Sequence, residues 1–298
     1  MLRSLINNVR FIWGHPLNAD AKVAAIARFL RLQLAARIGG KPLLVDWIEP
    51  LKFVFTNGES GITQNAYCGL HEHDEMLFLL HLLQEGDHFV NIGANVGSYS
   101  MLAAGVRNAT VIAIEPVPST FAKLNLNLRI NNLQSRVESK QIGVAARDGT
   151  ARFTVDKNCT NHIVDEDQET ADSIEISTET LDGICGKKIP TLIKIDVEGF
   201  ETEVVNGGEQ TLRSPELLAV IMELNESGNR YGYDESSLVA RMIDFGFETA
   251  SYDPFNREIT SLNGKCLTSG NTLFIRNKDE IQSRIEQASK IKIDSQQL

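Results

Sequence analysis

Between residues 88 and 223 the chain keeps returning to one pattern, a short apolar run followed by a longer stretch with helical spacing. The apolar runs occupy 88–92, 111–114, 137–142, 192–195 and 218–222, and helical periodicity falls around 98–104, 119–130, 201–212 and 235–245. A strand that is apolar at nearly every position needs cover on both of its faces, and crossover helices between parallel strands supply that cover. The pattern therefore predicts an α/β domain with a mostly parallel sheet and helices on both faces. Two further runs, 247–252 and 272–275, have no helix between them. They are expected to pair antiparallel at a sheet edge through the turn-rich stretch 253–271, making seven strands in all.

The flanks read differently. Leu2, Leu5, Ile6, Val9, Ile12 and Trp13 repeat at helical spacing, His15-Pro16-Leu17-Asn18 breaks the repeat, and a second helix carries Val23, Ile26, Leu30 and Leu34 behind Asp20 as an expected N-cap. Such a helix pair either caps the core or docks on an anionic membrane or a partner. Residues 43–68 suggest short strands and turns with a hairpin tip at Asn57-Gly58, and 72–84 a helix. The polar stretch 278–298, with a weak Ile281/Ile285 repeat, reads as a tail that is either a frayed helix or disordered. The expected division is an N-terminal extension over 1–70, a main domain over 71–277 and a tail over 278–298.

Charge narrows the function. The chain of 298 residues carries a net −10, yet residues 1–41 hold seven basic side chains against the single acid Asp20. That +6 leaves −16 for the remainder, and so acidic a body excludes general nucleic-acid binding. No apolar run reaches the length of a membrane span and the N-terminus lacks the order of a secretory signal. Cys68, Cys159, Cys185 and Cys266 form no CxxC pair. They fit a reducing compartment, so a cytoplasmic chain is expected, with peripheral membrane contact through residues 1–41 as an extension of that reading.

Chemistry gathers where the apolar runs end. The first leads into Asn91-Ile92-Gly93-Ala94-Asn95-Val96-Gly97, followed by a helix from Ser98. Glycines there let backbone approach a ligand, and the helix start offers free N–H groups. A GxGxxG dinucleotide fingerprint would need glycine where Asn95 stands, which disfavours an NAD-dependent oxidoreductase. The second run ends in Glu115, placed to take the hydroxyls of a ribose. The fourth ends in Asp196, with Lys194 and Glu198 as an ion pair at the strand end, and the fifth in Glu223. Asp196 and Glu223 are expected to face one another as a proton-handling pair, a divalent metal site or a structural pair. Asp196 is the first candidate for the base, and His162, in the irregular segment 158–162, the second. His71-Glu72-His73-Asp74 invites a metal reading, but His71 and His73 would not share a helix face, so no metal ligand is assigned there.

These motifs, in this order, resemble the FkbM-type methyltransferase family. The resemblance runs through the Asn91–Gly97 turn, Glu115-Pro116-Val117-Pro118, the Asn-rich helix 121–132, Ala146-Arg147-Asp148-Gly149, Thr180-Leu181-Asp182, the stretch 194–201, Gly207-Gly208 and Glu223, roughly residues 72–252. It implies a class I, Rossmann-like methyltransferase fold with S-adenosylmethionine as cofactor and a hydroxyl-bearing acceptor such as a sugar, a glycan or a lipid-linked glycan. It places Gly93, Asn95 and Gly97 at the methionine portion and Glu115 at the ribose. Gln141 and Ile142 would lie near the adenine, and Asp196 nearest the transferred methyl. Asn91, Ala94, Ser98 and Pro116 complete the implied cofactor site. The family usually has Asp where this chain has Asn91, which keeps open a slow or non-catalytic member that still binds the cofactor. A divalent metal is left open, and the oligomeric state is not readable.

Overall fold

The computed structural model describes residues 2–56, 62–154, 163–164, 173–267, 270–293 and 296–298. The N-terminal part comprises α1 (Leu2–Gly14), α2 (Lys22–Gly39), the hairpin of β1 (Leu43–Asp46) and β2 (Lys52–Phe55), α3 (Ile62–Cys68) and α4 (His73–Leu82). Two expectations change here. Ala21, not Asp20, precedes the first turn of α2 and makes no side-chain cap. Residues 62–68 form a buried helix rather than strands and turns, because seven residues are too few to display a helical period. The β1–β2 turn lies at 47–51, and Asn57-Gly58 falls outside the described residues.

The main body follows with β3 (His88–Ile92), α5 (Ser98–Val106), β4 (Thr110–Ile114), α6 (Pro118–Ile130) and β5 (Val137–Lys140). A meander of β6 (Gly143–Val144), β7 (Gly149–Thr154), β8 (Ile163–Val164) and β9 (Ser173–Glu179) makes a separate four-stranded sheet in the order β6-β9-β7-β8. The third run thus ends at Lys140, and Gln141 and Ile142 carry the chain into this second sheet. Next come α7 (Leu181–Cys185), β10 (Leu192–Ile195), α8 (Glu201–Asn206), α9 (Glu209–Arg213), β11 (Ala219–Glu223) and α10 (Glu235–Asp244). The chain closes with β12 (Glu248–Asp253), β13 (Glu258–Ser261), β14 (Asn271–Ile275), α11 (Lys278–Gln287) and the short pair β15 (Lys292–Ile293) and β16 (Gln296–Gln297).

The main sheet has eight strands in the order β13-β12-β14-β11-β10-β3-β4-β5. Five neighbours are parallel; beyond β11, β14 runs antiparallel to them, and β12, antiparallel to β14, returns to their direction. These are the seven expected strands of the class I fold. The eighth, β13, forms an edge hairpin with β12 inside what the sequence presents as connecting turns.

Alternation along the strands sorts the core into two layers. Phe89, Val111, Ala113, Leu192, Ile221 and Leu273 face α4, α5, α6 and α11, while Val90, Ile112, Ile193, Val220, Met222 and Phe274 face α7, α8, α9 and α10. The first layer also takes in Ile12, Phe29, Phe53, Ile281 and Ile285, so the N-terminal helices and the C-terminal helix share one core with the sheet. The Ile281/Ile285 repeat is an anchor: both side chains are fully buried, and the expected tail is a docked helix.

Candidate active site

The parallel strands deliver their C-terminal ends to one edge of the sheet, and the candidate residues meet there. At the end of β3, Gly93 and Ala94 donate backbone N–H groups to the Ile114 carbonyl at 3.0 and 2.8 Å, tying the turn to β4. Gly93 has φ +79°, and a Cβ there would lie 1.8 Å from the backbone oxygen of Asp196. The turn therefore packs backbone against backbone on the end of β10, which only glycine permits. Gly97, at φ +98°, lies behind the turn against Leu124 rather than in the cavity. Asn127 holds the turn from below, donating to the Val96 carbonyl at 2.9 Å.

Asn91 is buried under this turn. Its amide donates to Ser100 Oγ at 3.0 Å, and its Oδ1 has no hydrogen-bond partner among the described residues. Glu115 is buried at the end of β4, where its carboxylate accepts from the N–H groups of Asn95 and Val117, both at 3.0 Å. Burial pushes its carboxyl up to about 7 despite those two bonds.

Across the cavity stands a charge network. Lys194, 3% exposed, reaches Asp196 Oδ2 at 2.5 Å and lies 4.7 Å from the Tyr99 ring centre. The sequence paired Lys194 with Glu198, whereas its partner here is Asp196. Burial alone would lower the Lys194 ammonium, but Asp196 and Glu72 outweigh it and the net shift is upward. Glu72, from the start of α4, accepts from the Tyr99 hydroxyl at 2.6 Å. Burial works to raise Glu72, and Lys194 with His71 and Tyr99 brings it below the usual value.

Glu198 and Glu223 complete the site. One carboxylate oxygen each from Asp196, Glu198 and Glu223 lie within 4.8 Å of one another, the one cluster of metal-ligand spacing among the described residues. Burial first, then the charge of Asp196, pushes Glu198 up to about 7 and Glu223 up to about 9. One Glu223 oxygen, Oε2, is buried without a hydrogen-bond partner among the described residues. Glu198 itself sits at φ +56°, a left-handed conformation that costs a non-glycine residue energy and persists where surrounding contacts enforce it. Glu201 supplies such contacts, accepting the N–H groups of Val197 and Gly199 at 3.2 Å.

One cavity of about 330 Å³ runs between these two groups. Asn91, Gly93, Ala94, Asn95, Ser98, Glu115, Pro116, Ile142, Asp196 and Glu223 all line it. Gln141 is exposed and does not, because β5 ends one residue before it. His162 lies outside the described residues. Glu72, Tyr99, Lys194 and Glu198 line the cavity although the sequence assigned them no part in it. Tyr99 reads as an ordinary member of an apolar helix, and Glu72 as a helix-start acid. His71 and His73 pair with their neighbours Glu72 and Asp74 at 3.6 and 3.0 Å, and neither joins the carboxylate cluster.

Residues 91–249 match the model of the methyltransferase FkbM domain. Among curated proteins, the hexuronic acid methyltransferase AglP of Haloferax volcanii is 28% identical over 152 residues, covering 50% of this chain and 61% of that protein. Methyltransferase sdnD of Sordaria araneosa is 26% identical over 162 residues, covering 43% and 62%. The aligned part thus spans about three fifths of these relatives. The crystal structure of methyltransferase FkbM from Methylobacillus flagellatus KT aligns at a TM-score of 0.46 and 16% identity, over 72% of this chain and 54% of that one.

Proposed function

From the premise that the chain belongs to the FkbM methyltransferase family, whose model spans more than half of it, we propose that it transfers a methyl group from S-adenosylmethionine to a hydroxyl of a sugar or similar polyhydroxylated acceptor. The observation that carries this reading is the juxtaposition, across one cavity, of a glycine turn with Glu115 and of the carboxylates Asp196, Glu198 and Glu223. The residues fit the cofactor. Asn91 offers a buried acceptor oxygen without a partner, and the space a Cβ would take at Gly93 is left to backbone. In this reading Glu115 accepts the ribose hydroxyls, Ile142 and Pro116 flank the base, and Asn91, Asn95 and the 93–96 backbone receive the amino-acid end. When bound, S-adenosylmethionine supplies an electrophilic methyl on a positive sulfur.

The chain's own task is then to hold the acceptor oxygen in line, exclude water and take its proton. Lys194 occupies Oδ2 of Asp196 and leaves Oδ1 as the oxygen that can orient an acceptor hydroxyl. A general base works best with a value near the operating pH, and Glu198, pushed up to about 7, meets that condition. Glu223, higher still, can retain the proton once it has passed on. Phe200 lines the cavity with its ring 5.5 Å from that of Tyr231, an apolar wall for one side of the acceptor. The hexuronic acid acceptor in the name of the Haloferax relative supports a sugar without identifying which one.

The test is transfer of labelled methyl from S-adenosylmethionine into fractionated glycans, repeated with Asp196→Asn and Glu198→Gln. Transfer that falls by about 10²-fold or more in both variants, with cofactor affinity kept, is the expected result. Wild-type rates in both would overturn the assignment, and failure of the unmodified protein to bind the cofactor in calorimetry would overturn the activity.

A further inference from the structure

Eight of the eleven exposed large apolar side chains among the described residues lie between residues 6 and 44. Four of them form a line on α2: Val23, Leu30, Leu34 and Ile38, between 53% and 78% exposed. With the exposed Ala27 they follow the spacing of one helix face, an arc of about 80° at 3.6 residues per turn. The opposite face, with Ala25, Phe29 and Ala36, is buried in the core. The outer stripe is therefore surplus to what folding requires of this helix.

Its surroundings are cationic. On the same helical projection the exposed Arg31 and Arg37 flank the stripe on either side, and the exposed Lys41 continues it past the C-terminus of α2. Lys22 lies over the half-exposed Trp13 ring at 5.5 Å, an aromatic and a cation together at the other end. Arg28 belongs to the inner side, donating to the Tyr67 carbonyl at 2.6 Å. Of the acids nearest in sequence, Asp20 precedes α2, and Asp46 shares a surface pocket with Arg31 but is paired with Lys52 at 3.3 Å.

We propose that the outer face of α2 docks the protein on an anionic lipid bilayer, with Val23, Leu30, Leu34 and Ile38 entering the headgroup boundary and Arg31, Arg37 and Lys41 contacting lipid phosphate. Charge complementarity selects this occupant. A basic-flanked apolar stripe matches a negative leaflet, whereas two copies meeting face to face would bring their own arginines together. The acidic remainder of the chain points the same way, since its repulsion from the leaflet leaves the N-terminal helices as the contact. Docking is peripheral, as no described helix is long and apolar enough to cross a membrane. The placement has a use: α2 packs on α3, and α3 lines the cavity through Ile62 and Gln64. The cavity then lies within about two helix diameters, on the order of 20 Å, of the lipid surface.

Sedimentation of the full chain with vesicles of mixed phosphatidylglycerol and phosphatidylcholine tests this, with pure phosphatidylcholine as the control. The expected result is pelleting with the anionic vesicles only, weakened by added salt. Arg31→Glu with Arg37→Glu should lower partitioning by about tenfold or more. Leu30→Ser with Leu34→Ser should lower it comparably. Both pairs are exposed, and their folding is checked by circular dichroism and thermal melting. Equal binding by the variants and the wild type, or no binding by the wild type, would overturn the proposal. So would a wild-type dimer in sedimentation equilibrium that Leu30→Ser with Leu34→Ser splits, because the occupant of the stripe would then be a second copy.

Discussion

Lys194→Met tests the charge network without changing the size of the buried side chain much. In the wild type the ammonium lies 2.5 Å from Asp196, and their attraction in a medium of effective dielectric about 20 has a ceiling of roughly 6–7 kcal/mol. Desolvation of both groups offsets part of this, and removing one partner of a buried pair typically costs about 3–5 kcal/mol. The loss should depend on pH in a definite direction. Glu72 is held below its usual 4.5 chiefly because Lys194 and its other partners outweigh burial, so its contribution to stability is present above 4.5 and lost as pH falls. Without Lys194 the burial effect prevails and Glu72 moves above 4.5. Its contribution is then lost as pH rises through the new value.

Each pH unit of that reversal is worth about 1.4 kcal/mol. Glu72 is 30% exposed, so solvent screening reduces that figure, and the expected sign is a larger loss at pH 8 than at pH 6. Urea denaturation of variant and wild type at both pH values measures the difference directly; Glu198 and Glu223, which Lys194 also lowers, move further up in the variant and add to the loss at the higher pH. The variant should lose about 3–5 kcal/mol at pH 8 and distinctly less at pH 6. A loss below about 1 kcal/mol, or one equal at both pH values, would refute the reasoning, because it would mean the carboxylates are solvated well enough to do without the cation.

Three further outcomes follow from the turn and the strand ends. Gly93→Ala, whose Cβ would sit 1.8 Å from the Asp196 carbonyl oxygen, should destabilise by about 3 kcal/mol or more and abolish S-adenosylmethionine binding in calorimetry. A wild-type melting temperature would show that the turn does not rest on β10. Glu115→Gln should weaken cofactor binding about tenfold. It should also flatten the pH dependence of stability near neutrality: a carboxyl pushed up to about 7 stabilises at low pH and loses that contribution as pH rises through 7, and the amide has nothing to lose. An unchanged slope between pH 5 and pH 7 would contradict this. Asn91→Asp should tighten binding of the positively charged cofactor by about tenfold, since a charged acceptor exceeds a neutral one by about 1–2 kcal/mol. Equal affinities in parallel titrations would remove Asn91 from the cofactor site.

Much of the fold was legible because the strands advertise themselves. Four buried runs and a half-buried edge run, with helical periods between them, leave a parallel sheet covered on both faces as the arrangement that hides the apolar residues. The parts that were missed are those with too little periodicity to read. Strand β13, Glu258–Ser261, alternates over only four residues among turn formers, and α3 is two turns long. The sheet of β6–β9 shows little strand signal in the sequence, because it is small and half exposed. The docking of the C-terminal helix is hidden for a different reason. Two buried isoleucines suffice to anchor it when a preformed groove awaits them, and the groove belongs to the rest of the molecule.

The site divided along the same line. Groups carried to the sheet edge by their own strands, Glu115, Asp196 and Glu223, could be found from sequence because strand direction alone places them. Glu72 and Tyr99 could not, since they arrive on helices whose packing brings them together across 27 positions. Their absence from the sequence reading altered the electrostatic sum. Lys194 looked like a partner for Glu198, whereas it neutralises Asp196 and Glu72 and leaves Glu198 and Glu223 to be raised by burial and by Asp196. The change at Asn91 takes on a different sense in that light. Asn91 is the β3 neighbour of Lys194 in the sheet register, and around them five carboxyl groups line one cavity with one buried ammonium. A sixth carboxylate there would add to a charge excess that the site already relieves by raising Glu115, Glu198 and Glu223. The asparagine keeps the acceptor oxygen and omits the charge. Its cost should therefore fall on the cofactor's affinity, while the proton-handling groups at the far side of the cavity keep their values.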